Sequence, residues 1–418
     1  MRAAGPVDAD ASIEVDDVES VENVASEESA WRRAVAIGLV AYLVSRLCVL
    51  AAAAVRAVQL IVDTRADGEP EPSVASAISS VLTSWDGRWY LEIVRGGYPS
   101  SIPDNITYEQ LEARAAFFPV YPWATRVLDV VLPGGDTFAA LFLNFVLGAV
   151  SVILVGLLAR RLYSIPVAAR AMTLYAVFPA SVILSFAYSE AMMIVLAALC
   201  LLFLLDERWL LAGLAAALAT ATRPNGIAVV AACVVASAIA IRRSRQWWSL
   251  VSVALAPIGF VFFQWYVDHT ADERGAWFRV QREAWSEGTS YGATAVTNTL
   301  DFFTHPFASP TDALTALSMF TLAFMVFCAW KVKLPWTVVA YCAVVVALML
   351  IPETVTARPR FLFTAFPLFI AVAAWWPTPP DSDRRSSWEY TAWDLTLVLC
   401  GAGLVALTGL YAVFGVIP

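Results

Sequence analysis

The sequence predicts an all-α polytopic membrane protein, and three observations carry that expectation. Sixty per cent of the 418 residues are hydrophobic and only 15% are charged. The apolar residues gather into blocks long enough to cross a hydrocarbon core about 30 Å thick. Basic residues collect at alternate ends of those blocks, as they do when one side of a membrane retains Lys and Arg.

From the N-terminus, residues 1–30 hold Asp8, Asp10, Glu14, Asp16, Asp17, Glu19, Glu22, Glu27 and Glu28. With many like charges and few large apolar residues, this stretch reads as a disordered acidic cytoplasmic tail. With Arg2 it accounts for the whole net charge of −8; the charge therefore says nothing about partners, and nothing points to nucleic acid. The first apolar block begins only after Trp31-Arg32-Arg33, which suits an uncleaved anchor rather than a secretory signal.

Residues 31–418 read as one polytopic domain of about eleven crossings. Hydropathy places them at 33–60, 137–158, 166–186, 188–205, 209–222, 225–241, 247–267, 311–330, 335–351, 361–376 and 393–416. Arg32-Arg33, Arg160-Arg161, Arg208, Arg242-Arg243, Lys331 and Arg384-Arg385 mark one set of ends, which fixes the N-terminus in the cytoplasm. The blocks at 209–222 and 225–241 are short, so one helical hairpin there is tilted or re-entrant. Two large extracytoplasmic loops, 61–136 and 268–310, then hold most of the Trp, Tyr and unpaired charge, and chemistry is expected there. The resulting picture is a multi-pass protein of the plasma membrane with its site on the outer face.

Several classes are disfavoured. All six cysteines lie inside apolar blocks, without a CxxC pair, and read as packed thiols. His269 and His305 are the only histidines, too few for a zinc site, so no metal is assigned; a divalent cation stays open without a motif to support it. One Asp-x-Asp, Asp381-Ser382-Asp383, falls in a short cytoplasmic loop. With no Gly-rich phosphate loop either, a nucleotide-sugar enzyme is a poor fit.

In the first outer loop, Trp85-Asp86-Gly87-Arg88-Trp89-Tyr90 is followed by Gly96-Gly97-Tyr98-Pro99 and by Phe117-Phe118-Pro119-Val120-Tyr121-Pro122. Trp85, Trp89 and Ile93 recur every four residues, as in a helix lying among lipid headgroups. That reading leaves Asp86 unexplained, because a carboxylate wedged between tryptophans is costly unless paired, hydrated or used. Asp86 beside aromatic walls suits a general base acting on a sugar substrate, with Arg88 as a structural partner in the quieter reading. Periodicity does not separate the two.

These segments resemble the first outer loop of the PIG-V-like mannosyltransferases, the family of GPI mannosyltransferase II. The order of motifs continues through Phe178-Pro179-Ala180-Ser181, Tyr188-Ser189-Glu190, Thr222-Arg223-Pro224-Asn225-Gly226, Gln281-Arg282-Glu283-Ala284-Trp285 and Arg358-Pro359-Arg360-Phe361. That family is one of the GT-C glycosyltransferases, polytopic helical enzymes that take sugars from polyprenyl phosphates. The resemblance implies an inverting mannosyltransferase with Asp86 as its catalytic base. It further implies a substrate site drawing on Trp85, Arg88, Tyr90, Tyr121, Glu190, Arg223, Asn225, Gln281, Arg282, Trp285, Arg358 and Arg360.

Each of these positions also has a plainer reading. Glu190 suits the start of a helix, where the dipole favours a carboxylate. Arg223 suits a snorkelling residue in a Pro-Gly turn. Arg358 and Arg360, on the outer end of a crossing, are the best candidates for gripping the donor phosphate, with pairing to Glu353 as the structural alternative. The implied acceptor is a glycolipid, a cell-wall polymer or a protein, and a small membrane partner subunit is left open. The competing function is a transporter or flippase of lipid-linked sugars, in which Asp86, Glu190 and Arg223 are cavity charges.

Overall fold

The computed structural model describes residues 10–286, 288–306, 308–353, 358–377 and 388–413, with side chains from residue 25 onward. Among these the chain is helical, and an isolated bridge between Thr289 and Pro352 is the one β-type pairing. Helix α1 runs Asp10–Ala66, and its stretch from Ala25 is long and apolar enough to cross a membrane. Residues 1–9 lie outside the described residues. From Asp10 the backbone is helical, where disorder is expected from sequence through residue 30. Extending a helix from an existing span costs far less than nucleating one, and carboxylates suit its N-terminal end. Glu27 also reaches Arg160 at 2.9 Å, and Glu28 reaches Arg32 at 2.6 Å.

The segment expected as the first outer loop is itself folded. Helices α2 (Val74–Leu82), α3 (Asp86–Gly96) and α4 (Val120–Val131) are joined through a 3-10 turn at Leu111–Ala116. Ser73 caps α2 by accepting from the amide of Ser76. Trp89 and Ile93 are buried, packed with Tyr98, Phe117, Phe118 and Trp277 in one apolar cluster. That arrangement corrects the headgroup-belt reading of α3: those side chains face protein.

Helices α5 (Gly135–Leu162) and α6 (Ile165–Val177) pack with α1. A Cβ added at Gly38 or Gly156 would lie 2.7 or 2.4 Å from the Met172 side chain. Small residues on α1 and α5 thus let the Met172 side chain of α6 approach closely. The chain then leaves helical geometry through a 3-10 turn at Pro179–Leu184 before α7 (Glu190–Leu205). Irregular backbone buried among apolar helices needs partners, and two long-range side chains supply them. Asn144 of α5 donates to the carbonyls of Phe186 and Tyr188. Arg46 of α1 donates to the Ser181 carbonyl at 2.6 Å and to Ser185 Oγ at 2.8 Å.

Helix α8 (Trp209–Thr220) leads through a turn at Pro224–Ile227 into α9 (Ala228–Ser244). The short α10 (Leu250–Leu255) and α11 (Ile258–Thr270) complete the next span, and α12 (Ala276–Ala284) and α13 (Ala293–Thr304) occupy the second expected loop. Helices α14 (Pro310–Val332), α15 (Trp336–Leu350), α16 (Arg358–Thr364), α17 (Pro367–Trp375) and α18 (Trp388–Ala412) follow. Among the described residues, six stretches meet the length and apolarity of a full crossing. The other expected spans correspond to shorter or broken helices, among them α8 in the hairpin anticipated to be short. The 361–376 span begins instead at Arg358 and breaks between α16 and α17.

Candidate active site

Four charged side chains from four separate segments meet at one end of the bundle. Asp86 is the first residue of α3, so its carboxylate sits at the positive end of the helix dipole. Trp85 ahead of it adopts a φ of 57° and donates its indole N–H to the Tyr411 carbonyl at 3.3 Å. Gly87 faces Ala187, whose amide donates to the Leu82 carbonyl at 2.9 Å. This close approach brings α3 against the irregular segment that ends at Glu190.

Arg360 Nη1 donates to Asp86 Oδ2 at 2.6 Å, and its Nε lies 3.3 Å from Glu190 Oε1. Glu190 Oε2 lies 2.9 Å from Arg223 Nη1, which donates to Ser189 Oγ at 3.1 Å. Ser189 Oγ in turn shares a 2.5 Å hydrogen bond with the Tyr90 hydroxyl. The order carboxylate, guanidinium, carboxylate, guanidinium is neutral as a unit, which makes burying four charges affordable. Glu190 is fully buried, yet neither oxygen has a partner at hydrogen-bond geometry.

The turn that presents Arg223 depends on Gly226: a Cβ there would fall 2.2 Å from the Ala219 carbonyl oxygen. Asn225 donates to Thr364 Oγ1 at 3.3 Å, tying this turn to the end of α16.

Of the residues expected from sequence, Asp86, Glu190, Arg223 and Arg360 converge directly, and Tyr90, Trp85 and Asn225 adjoin them. Arg88 is not the partner of Asp86; it lies over the Trp89 ring at 4.7 Å, and Glu109 is 3.7 Å away. A helical side chain two positions on points away from that face. Tyr121 donates to the Ala140 carbonyl at 3.2 Å and packs edge-on against Tyr90 at 5.0 Å, so it backs the site. Trp285 joins Tyr108 and Phe117 at 5.4 and 5.7 Å, extending an aromatic wall through Trp89 and Tyr90. Gln281 is half-buried and Arg282 exposed on α12, apart from the four-charge cluster. Their neighbour Arg279 binds Glu273 and the carbonyls of Ile102 and Pro103, a structural role.

Arg358 and Arg360, taken from sequence as an equivalent pair, behave differently. Arg360 is held by Asp86 and Glu190. Arg358 is fully buried, donates to Thr315 Oγ1 at 3.1 Å, and forms no ion pair with Glu353. Sequence reading missed Thr364 and Thr315, and quoted Ser189 and Tyr188 without a role; Tyr188 lies under Arg360 at 5.6 Å. Their signal was adjacency to Glu190 at a helix start. His269 stacks on Trp265, and among the described residues no three potential ligands cluster for a metal. The pair Asp381 and Asp383 lies outside the described residues.

An apolar groove of about 860 Å³ runs beside this site, between α14, α16 and α18. It is lined by Ser309, Leu314, Leu317, Pro359, Leu362 and Leu407 among others.

A family model described as dolichyl-phosphate-mannose-protein mannosyltransferase matches residues 115–267. No curated protein sequence matches the chain. Among solved structures, ArnT from Cupriavidus metallidurans bound to undecaprenyl phosphate aligns over 81% of this chain and 76% of its own, at 14% identity and a TM-score of 0.49. The oligosaccharyltransferase of Archaeoglobus fulgidus aligns over 88% of this chain at 14% identity and a TM-score of 0.42, and this chain spans 55% of its length. The chain is thus an all-α polytopic membrane protein, similar across residues 115–267 to a family of lipid-phosphate-dependent mannosyltransferases.

Proposed function

We propose that the protein is a GT-C glycosyltransferase that moves a sugar, mannose by the family match, from a polyprenyl phosphate to a hydroxyl of a lipid-linked or membrane-anchored acceptor. The observation that carries this reading is Asp86. It heads a helix at the polar end of an apolar bundle, has one bonded arginine, and stands beside a wall of aromatic rings suited to a sugar face. The acceptor hydroxyl gives its proton to the Asp86 carboxylate as its oxygen attacks the anomeric carbon. The bond from that carbon to the phosphate oxygen breaks, the phosphate leaves with the electron pair, and the configuration inverts. Arg360 orients Asp86, while Glu190 and Arg223 hold Arg360 from behind.

The same reading places the protein in the plasma membrane with this end outside and its N-terminus in the cytoplasm. Gathering of the buried carboxylates at one end, rather than along several spans, favours an enzyme over a flippase. The test is mannose transfer from a short-chain polyprenyl-phosphate mannose into membrane lipids by the purified protein. Transfer by the wild type, with loss in a folded Asp86→Asn variant, is the expected outcome; no transfer from any polyprenyl-phosphate sugar to a broad acceptor extract would remove the reading.

A further inference from the structure

Trp85 occupies a backbone position that favours glycine. Its φ is 57° and its ψ −124°, and the Gly87 amide donates to the Ser84 carbonyl at 3.1 Å. Residues 84–87 are thus a tight turn of the II′ kind, whose first central position is ordinarily Gly. A bulky residue is strained there and persists only where its surroundings hold it. The next residue along is Asp86, so the strain sits directly under the carboxylate at the head of α3.

What holds the turn is the far end of the chain. The last carbonyls of a helix have no partner within it, and two of those of α18 are met from other segments. The indole Nε1 of Trp85 donates to the Tyr411 carbonyl at 3.3 Å, and Arg56 Nε, from α1, donates to the Ala412 carbonyl at 3.1 Å. Arg56 also brings a cation to the negative end of the helix dipole. Tyr411 is buried, with its ring edge-on to Phe186 at 6.4 Å. Two turns earlier on α18, a Cβ added at Gly403 would fall 2.9 Å from Pro179 Cγ. The C-terminal helix therefore touches both segments that carry the carboxylates of the site: the turn ahead of Asp86 and the 179–189 stretch ahead of Glu190. The two tryptophans of this region divide accordingly, Trp89 packing in the outer aromatic cluster and Trp85 against the main core of the bundle.

We infer that Trp85 is a positioning residue and not a substrate contact: it latches the strained turn ahead of Asp86 to the end of α18, so that the C-terminal helix sets where the carboxylate stands. Arg360 holds the Asp86 side chain, and the latch holds its backbone. With the latch open, the turn relaxes toward negative φ and re-aims the first residue of α3. A displacement of about 1 Å in a reacting group costs as much as ~10²-fold in rate. The inference rests on the glycosyltransferase reading for the role of Asp86, and not for the latch itself.

Two readouts on the detergent-purified full chain test it, with Trp85→Phe keeping a ring and removing the N–H. By hydrogen exchange, amides of residues 84–90 and 409–413 are expected to exchange about fivefold faster in this variant, with α5 unchanged. In mannose transfer, kcat per folded enzyme is expected to fall about tenfold, with donor and acceptor KM within about twofold of wild type. Trp85→Gly removes strain and latch together and is expected to lose at least as much. A raised KM at wild-type kcat would make Trp85 a substrate contact, and a lower melting temperature with full turnover by the folded fraction would make it structural only; either result overturns the inference. Gly403→Ala presses α18 off Pro179 without touching Asp86, and the same loss of kcat and the same faster exchange at 84–90 are expected. That variant decides the matter if neither Trp85 variant folds, and wild-type values in it overturn the role of α18. Faster exchange in Trp85→Phe with no transfer by the wild type would sink the glycosyltransferase reading and leave the latch standing, whereas wild-type transfer with exchange unaltered in Trp85→Phe would do the reverse.

Discussion

Two regions of the molecule bury arginine, and they do so differently. Around Arg46, every guanidinium nitrogen has a bond: Nη1 to Ser181 O and Ser185 Oγ, Nη2 to Ser181 Oγ and Ser45 Oγ, Nε to Ser45 Oγ. Around Asp86, charges are balanced but groups are left short of bonds, with both Glu190 oxygens and the Nε atoms of Arg223, Arg358 and Arg360 lacking hydrogen-bond partners. A charge buried for architecture is saturated by its neighbours. On the proposed glycosyltransferase reading, the bonding capacity left over at the Asp86 end is what a ligand would meet.

The sharpest break of this comparison is Asp86→Asn. It is expected to lower transfer by the folded fraction about 10³-fold, the range of a lost general base, with some loss of melting temperature because Arg360 keeps its charge and loses its countercharge; residual activity within tenfold of wild type would remove Asp86 from the chemistry. Arg46→Met is expected to behave oppositely, costing about 3 kcal/mol of stability by orphaning oxygens around the 179–189 segment, with turnover of the folded fraction retained. Scanning fluorimetry alongside a transfer assay reads both numbers. Glu190→Gln keeps shape and removes charge; about a hundredfold loss of kcat is expected, together with a thermal loss comparable to that of Arg46→Met, because two buried guanidinium groups lose a countercharge. An equal thermal loss with activity intact would make the cluster architecture too.

Gly226→Ala forces the 223–227 turn off α8 and is expected to cost about 2 kcal/mol, with about a tenfold drop in transfer as Arg223 moves. A second-site change that restored stability without restoring transfer would separate the two effects. The smallest effect concerns Glu273. Its bond to Arg279 holds its carboxyl below the ordinary value. That stabilisation is present above the unfolded pKa and is lost as pH falls through the folded one. The pair is partly exposed, so under about 1 kcal/mol is at stake; hydrogen exchange in α12 should rise on acidification and not in Glu273→Gln.

Much of this was legible from sequence, because lipid-facing helices announce themselves by length and apolarity. Each expected span has a helical counterpart, and Asp86, Glu190, Arg223 and Arg360 were all named before their convergence was visible. What the sequence could not convey was depth. Trp89 and Ile93 repeat like a headgroup belt because a helix buried against protein and one buried against lipid share the same period. Arg358 and Arg360 looked equivalent because two residues along a helix turn the side chain by about 200°, and which neighbour waits on each side is a matter of tertiary packing. Arg46 drew no reading from sequence at all, since its partners lie 135 and 139 positions away.

The groove beside Pro359 has Leu317 and Leu399 at its walls, both largely exposed, so it opens sideways toward the acyl chains instead of upward toward water. A lipid that filled it would arrive by lateral diffusion, and the quantity that saturates the groove would then be a mole fraction of the bilayer. Doubling the inert phospholipid at fixed bulk substrate would halve occupancy in the linear range, and any measured KM would belong to the membrane as much as to the protein.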